Sequence, residues 1–542
     1  MKRHPLRSYV PLAAVAVGFL LMAALIDPAV RAERTYVGTA VAGGVPNTDG
    51  GSSSVPSTSD DPTAPSGGSA SGAGPTDAPG SGVQPCPDRE RQVAGDPYSP
   101  PCVVFSGDNG GATHQGVTRE EIIIAVRELE GPSAAEIFSQ LSGESVSDSP
   151  EAYEDTGRAL AEYFSTRFNF YGRQIKLVLF KGSGNGASEL LGGGKERALA
   201  DAVRADKEVG AFADITGITI PYADALAKQG IVNLGAPYPS RRWFVERRPY
   251  TWSFFPDGTR VVEASASAAI ARLSGHDAAN AEFGGPDVNG KPRKYAIVAP
   301  ENAEYQQSVN EYRSRLATAG ISIELNMKYK LDINSMPNQA SNIIAQMKDA
   351  GVTSVFCGCD PVMLALGLAP KANEQDYEPE WITAGLAFVE QDIVAQLIDP
   401  KQWRHAFGIA FNAEPEVLGA SYAYNAYKQM RPYDEPAFGV DVIYYQLYML
   451  AIGLQMAGPN LTPETFEAGM FAYPGGTGPQ GTWKFGPGDY TPAEDFREIW
   501  WDPDRISAQN NKPGAWVELN GGRRYLPGQV PFGRAPYFED GR

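Results

Sequence analysis

Two apolar patterns take turns along most of the chain: short continuous apolar runs, and longer stretches with apolar positions at helical spacing. The run from Ile122 to Val126, introduced by the polar turn from Gly116 to Glu121, predicts a first buried strand. Tyr153, Leu160, Tyr163 and Phe164 place a helix between Glu151 and Phe168, and the turn Tyr171-Gly172 leads into a strand from Gln174 to Phe180. Beyond a Gly-rich stretch the pattern predicts a helix over 195–206, a strand over 209–213, a short helix over 221–229 stopped by Gly230, and a strand over 231–234. Strands separated by helices at this spacing imply a mostly parallel sheet with helices on its faces.

The alternation then starts again. Strands are predicted over 295–298, 321–329 and 354–357, with helices over 305–319 and 338–350 that end at Gly320 and Gly351. Trp381 to Thr383 and Ala406 to Phe411 add two short strands, and 439–457 reads as a long apolar helix. The tail from Gly478 is turn-rich, and its aromatic residues Trp483, Phe485, Trp500, Trp501 and Trp516 predict a small β region pinned onto the rest.

The ends change the picture. Met1 to Arg7 is basic and is followed by an uncharged run from Tyr9 to Ile26, the order of an export signal. At about 18 residues the run is long for a cleaved signal and short for a membrane span, so both a signal cleaved after Ala32 and a retained anchor stay open for residues 1–32. Residues 33–105 are expected to be a disordered tether. Its stretch from Val37 to Gly82 is Gly, Ser, Pro, Thr, Ala and Asp with almost no large apolar side chain, too little to offset ordering entropy. About 45 such residues have a root-mean-square span of roughly 35 to 40 Å. Roughly 440 residues remain, more than one ordinary core holds, so a bilobed globular part is expected.

With 46 basic and 64 acidic residues the net charge is −18, and no dense Lys/Arg block lies outside the N-terminus, which argues against a nucleic-acid partner. In an exported chain Cys86 and Cys102 are expected to pair and close a loop at the end of the tether. With only Gly358 between them, Cys357 and Cys359 are expected not to bond easily if that glycine lies in a strand. The four histidines His4, His114, His276 and His405 are scattered, so no metal site is expected, and no Gly-x-Ser-x-Gly elbow is present. Lys181-Gly182-Ser183-Gly184-Asn185-Gly186-Ala187 follows a strand but lacks the third glycine of a dinucleotide fingerprint and the Lys-Ser/Thr pair of a phosphate loop. No catalytic residue and no cofactor is expected.

In parallel α/β sheets ligands bind beyond the carboxyl ends of strands. Here those positions carry Arg127 and Glu128, then Asp214 to Thr219, then Gly235 to Ser240. Thr216 and Thr219 precede a helix and are equally readable as caps.

The order of elements, together with Gly116-Val117-Thr118, the helix 195–206 feeding Val209-Gly210-Ala211-Phe212, Gly217 with Pro221, Gly230-Ile231-Val232, Glu301 to Tyr305, and Gln346 to Phe356 with Asp360-Pro361, resembles the periplasmic-binding-protein type 1 family. The resemblance is to its branched-chain amino acid (leucine/isoleucine/valine) type, the substrate-binding proteins of ABC transporters, and covers 116–525. It implies an α/β fold of two lobes, each a mostly parallel sheet flanked by helices, with a hinge cleft. Lobe 1 would be 116–258 with 412–478, and lobe 2 would be 259–411 with 479–542.

It further implies a monomeric, extracytoplasmic, non-enzymatic receptor that takes a small-molecule ligand to ABC permease subunits in the membrane. The alternatives are a ligand-sensing receptor ectodomain, or an exported enzyme using Cys357, Cys359 or Asp360. Matched position by position, the ligand contacts would be Thr216, Gly217, Tyr238, Ser240, Tyr305, Cys359 and Asp360. Amino-acid binders also carry an acid for the ligand ammonium beyond the next strand, but Ala384 to Phe388 occupies that stretch. A desolvated ammonium without a counter-charge costs several kcal/mol. Unless Asp360 or Glu128 substitutes, the ligand is expected to be a neutral or apolar acid or amide.

Overall fold

Strands and helices alternate as the pattern implies in the computed structural model of the protein, which describes residues 90–130, 149–190, 192–279, 290–332 and 335–538. The proposed signal or anchor at 1–32, most of the tether and Cys86 lie outside the described residues. Strands β1 (Glu121–Glu130), β2 (Gln174–Asn185), β3 (Ala213–Asp214), β4 (Val232–Leu234) and β5 (Thr251–Trp252) form one sheet in the order β2-β1-β3-β4-β5. Every neighbouring pair is parallel. Ile122 and Ile124 of β1 are buried, as a strand covered by helices requires.

Helices α1 (Pro150–Arg167), α2 (Lys195–Arg204) and α3 (Ile220–Lys228) connect these strands. Ser149 caps α1 by accepting from the Ala152 amide, with Pro150 in the first turn where no amide is needed. The strand expected over 209–213 is shorter. Helix α2 runs on as a π turn over Ala205–Val209, Gly210 ends it at φ 65°, and β3 begins only at Ala213.

The Gly-rich stretch holds a side chain rather than a phosphate. The amides of Ser183 and Gly184 both donate to the Asp201 carboxylate at 2.8 Å. Asp201 and Glu189 in turn flank the guanidinium of Arg127, which lies 3.4 Å from the Tyr222 ring centre. A Cβ on Gly184 would come within 2.2 Å of Glu189 Oε1, so glycine is needed there for close approach.

The second sheet contains β6 (Tyr295–Pro300), β7 (Ile323–Tyr329), β8 (Ser354–Cys357), β9 (Glu380–Thr383) and β10 (Ala406–Ala410), all parallel, in the order β10-β9-β8-β6-β7. Helices α4 (Gly258–Leu273), α5 (Ala303–Thr318) and α6 (Met336–Asp349) accompany it. The chain then returns to the first sheet's side as α7 (Tyr422–Met430), α8 (Val440–Met456) and α9 (Pro463–Ala472), where Phe164 of α1 meets Tyr444 and Tyr448 of α8 at ring distances of 5.2 and 5.5 Å.

A hairpin of β11 (Gly476–Gly478) and β12 (Gly481–Trp483) follows. The β structure expected in the tail is present, and it joins an existing sheet. Strands β13 (Phe496–Ile506), β14 (Pro513–Glu518) and β15 (Arg524–Tyr525) extend the second sheet, β13 pairing antiparallel with β10, β14 and β15. Trp500, Trp501 and Trp516 are buried on it, whereas Trp483 and Phe485 pack on the first lobe, Trp483 beside Tyr98 and Phe485 beside Trp252.

The part of the expected tether from Glu90 onward is seated on the protein. Tyr98 is buried and donates to the Gly481 carbonyl at 2.8 Å, and Tyr473 donates to the Tyr98 carbonyl at 2.6 Å. One aromatic ring in a polar, proline-rich stretch supplies the burial that its composition concealed. Cys102 is disulfide-bonded, and the Cys86 half of the expected Cys86–Cys102 bridge lies outside the described residues.

Candidate functional site

A cavity of about 190 Å³ opens where strand ends of the two sheets face each other and runs on beneath α4. One wall is α4, which presents Val261, Val262, Ser265, Ala268, Ala269 and Arg272. Spacings of three and four keep these on one helical face, and the small Ser265, Ala268 and Ala269 leave the space unfilled. The facing wall is the second sheet, with Ile297 and Ala299 of β6, Phe356 of β8, Ile382 of β9, and Phe407 and Ile409 of β10. Helix α5 closes the side with Tyr305, Ser308, Val309 and Tyr312. At the mouth stand Ile218, Pro237, Tyr238 and Phe255 from the first lobe, opposite Leu386 and Ala387 after β9.

Backbone strain gathers at that mouth. Tyr238, Ala387 and Phe388 adopt left-handed φ of 64°, 52° and 60°, unusual for residues with side chains and concentrated where function tends to lie. The Ala387 amide donates to the Tyr238 hydroxyl at 3.0 Å, a direct bond between the lobes. Desolvation pushes the Tyr305 phenol up to about 12, so it is a neutral donor at any ordinary pH. Ser265 Oγ and Ser308 Oγ, both facing the cavity, have no hydrogen-bond partner.

The charged groups of the lining are spoken for. Among the described residues Asp360 is its single acid: Oδ1 accepts from the Val362 and Met363 amides at 2.9 and 3.0 Å, and Oδ2 accepts from the Tyr329 hydroxyl at 2.6 Å. Arg272 is the single base among the described lining residues, bound to both carboxylate oxygens of Glu498 at 2.8 and 2.7 Å, while Tyr537 donates to the same carboxylate at 3.1 Å. Glu390, just past the mouth loop, is fully buried but outside the lining. Asn412 donates to its Oε1, Oε2 has no partner, and desolvation lifts its pKa to about 7.

Of the residues expected to touch ligand, the cavity brings together Tyr238, Tyr305, Cys359 and Asp360. Thr216, Gly217 and Ser240 are not in its lining. Thr216 is locked in a turn, its amide and hydroxyl both donating to Asp214 at 2.6 Å, and Gly217 packs against Asn233. Ser240 caps the short helix Arg241–Val245 by accepting from the Trp243 amide. Glu128 is exposed.

The expectation about Cys357 and Cys359 is corrected: they form a disulfide, with Cα atoms 4.9 Å apart. Strand β8 ends at Cys357, so Gly358 is free of the pleat that would have held the two sulfurs apart. The bridge and Gly358 line the cavity together. Phe255 also lines it, 5.5 Å from Phe388. Among the described residues no group of His, Cys, Asp and Glu suits a metal.

A family model for periplasmic binding proteins matches residues 138–502, more than half of the chain. The chain belongs to this family. Several solved structures resemble this periplasmic binding protein. An ABC-transporter substrate-binding protein from Aeropyrum pernix is 15% identical with a TM-score of 0.52, over 76% of this chain and 97% of the other. A solute-binding protein from R. palustris in complex with 4-hydroxybenzoate is 12% identical at 0.51, covering 75% and 98%. A fatty acid ABC transporter substrate-binding protein from Thermomonospora curvata is 13% identical at 0.50, covering 76% and 95%. At these identities the likeness is one of fold. No curated protein sequence matches this periplasmic binding protein significantly.

Proposed function

We propose that the protein is the extracytoplasmic solute receptor of an ABC importer. It captures a small, mainly apolar organic molecule at the junction of its lobes and delivers it to a membrane permease. The observation that carries this is the cavity itself: apolar walls from both lobes, a few convergent hydroxyls, and no free charge among the described residues. Tyr238, Tyr305, Cys359 and Asp360 shape the binding end, the Asp360 carboxylate serving to hold the backbone after β8. The lobes, 116–258 with 412–478 and 259–411 with 479–542, close on the ligand as a monomeric hinge.

Simple α-amino acids fit poorly, because the acid available to the cavity already accepts three hydrogen bonds. The aromatic acid and fatty acid named for two proteins of similar fold agree with that chemistry. Among the described residues no helix is long and apolar enough to cross a membrane, so attachment to the membrane surface would fall to residues 1–32.

Thermal unfolding of the purified protein with benzoates, straight-chain acids and amino acids tests the proposal. A ligand at a hundred times its Kd stabilises the native state by about 2.7 kcal/mol. Apolar acids are expected to raise Tm and leucine to leave it unchanged; the reverse pattern overturns the reading. Tyr238→Phe removes the acceptor of the bond between the lobes and is expected to weaken a confirmed ligand by about fivefold, roughly one hydrogen bond, in titration calorimetry.

A further inference from the structure

The cavity is far longer than a cleft between two lobes requires. It follows α4 from Gly258, which stands beside Tyr238 and Ser308 at the mouth, to Leu273 at the other end of the helix. That is about 23 Å of helix at 1.5 Å per residue. The lining residues therefore trace an elongated channel along the helix. Its inner part lies wholly within the second lobe, between α4 and the sheet, where Ile297, Phe356, Ile382 and Phe407 face Ala268 and Ala269.

We infer that this channel is a subsite for an unbranched acyl chain, which enters tail first and leaves its polar head at the mouth. The inference rests on the receptor reading above and names its substrate class. An extended chain advances by ~1.25 Å per carbon, so the length of this wall matches roughly 18 carbons.

The direction follows from the charges. At the inner end Arg272 is held by both oxygens of Glu498, and Tyr537 donates to the same carboxylate, so a ligand carboxylate driven inward would meet a neutralised arginine and a glutamate. At the mouth the unpartnered Ser308 hydroxyl and the Tyr305 phenol offer donors to a polar head.

The test is calorimetric titration of delipidated full-length protein with saturated straight-chain carboxylates from about 6 to about 18 carbons, each below its micelle concentration. Each buried methylene should tighten binding about fourfold, with a plateau near 16 to 18 carbons. Ser265 sits on α4 about 10 Å inward from Gly258, so the ring of Ser265→Phe blocks the channel near the eighth carbon. In that variant the plateau should move to roughly 8 carbons, with circular dichroism and hexanoate binding reporting that it folds.

A flat chain-length profile while short acids still bind overturns the channel and leaves the receptor reading standing. Failure of every acid, aromatic or straight-chain, overturns both. Tighter binding of a sterol than of the best chain, or a plateau unmoved by Ser265→Phe, also rejects the acyl-chain assignment.

Discussion

Glu390 offers the sharpest physical test of the mouth. Its carboxyl is fully buried and its pKa stands near 7 against an ordinary 4.5, with loss of hydration the largest cause and the hydrogen bond from Asn412 and the charge of Arg497 only partly opposing it. An acid whose pKa is raised by folding contributes stability that is fully present below about pH 4.5 and lost as pH rises through about 7. The difference of about 2.5 units corresponds to roughly 3 kcal/mol above pH 8. Glu390→Gln keeps the shape and removes the charge. Its stability relative to wild type should rise across pH 4.5 to 7 and level off at about 3 kcal/mol. Urea unfolding of both proteins at intervals across that range measures it. A difference independent of pH would refute the reasoning, because it would mean that Glu390 titrates alike folded and unfolded.

Two further substitutions probe the frame around the cavity. Arg272→Met leaves Glu498 buried and unpaired and should cost about 3 to 5 kcal/mol in denaturant unfolding. Pairing it with Glu498→Leu should restore most of that loss, and failure to do so would show that the ion pair is not what Arg272 supplies. Gly469→Ala puts a Cβ within 2.5 Å of the Met456 backbone, so α8 and α9 must move apart. A loss of about 1 to 3 kcal/mol is expected, and an unchanged Tm would refute the close crossing.

The alternating α/β frame was legible because buried parallel strands and their helices write different periods into the chain, as Ile122 to Val126 and Tyr153 to Phe164 do. The walls of the cavity were not. Helix α4 escaped notice because Ala264-Ser265-Ala266-Ser267-Ala268-Ala269 carries little contrast between its faces, and that same smallness creates the void. A run of Ala and Ser ended by Arg272 and Leu273 was the available signal, readable through helix propensity rather than hydrophobic spacing. Asp360 was legible as a residue of the site, but its commitment to two amides and Tyr329 depends on distant parts of the chain meeting. The disulfide was misjudged by one position, the residue at which β8 stops.

The partnership of β10 with β13 bears on how the chain acquires its shape. Between them in sequence lie all of α7, α8 and α9, which belong to the other lobe. As the polypeptide emerges from its N-terminus, the apolar strand Ala406–Ala410 has one edge open until residues near 496 arrive to cover it. An uncovered edge of this kind invites pairing with other chains. Each sheet is completed by segments that come late in the chain: β13 for the second, and α7, α8 and α9 on the side of the first. Truncation within the tail should therefore yield aggregation rather than a smaller working receptor.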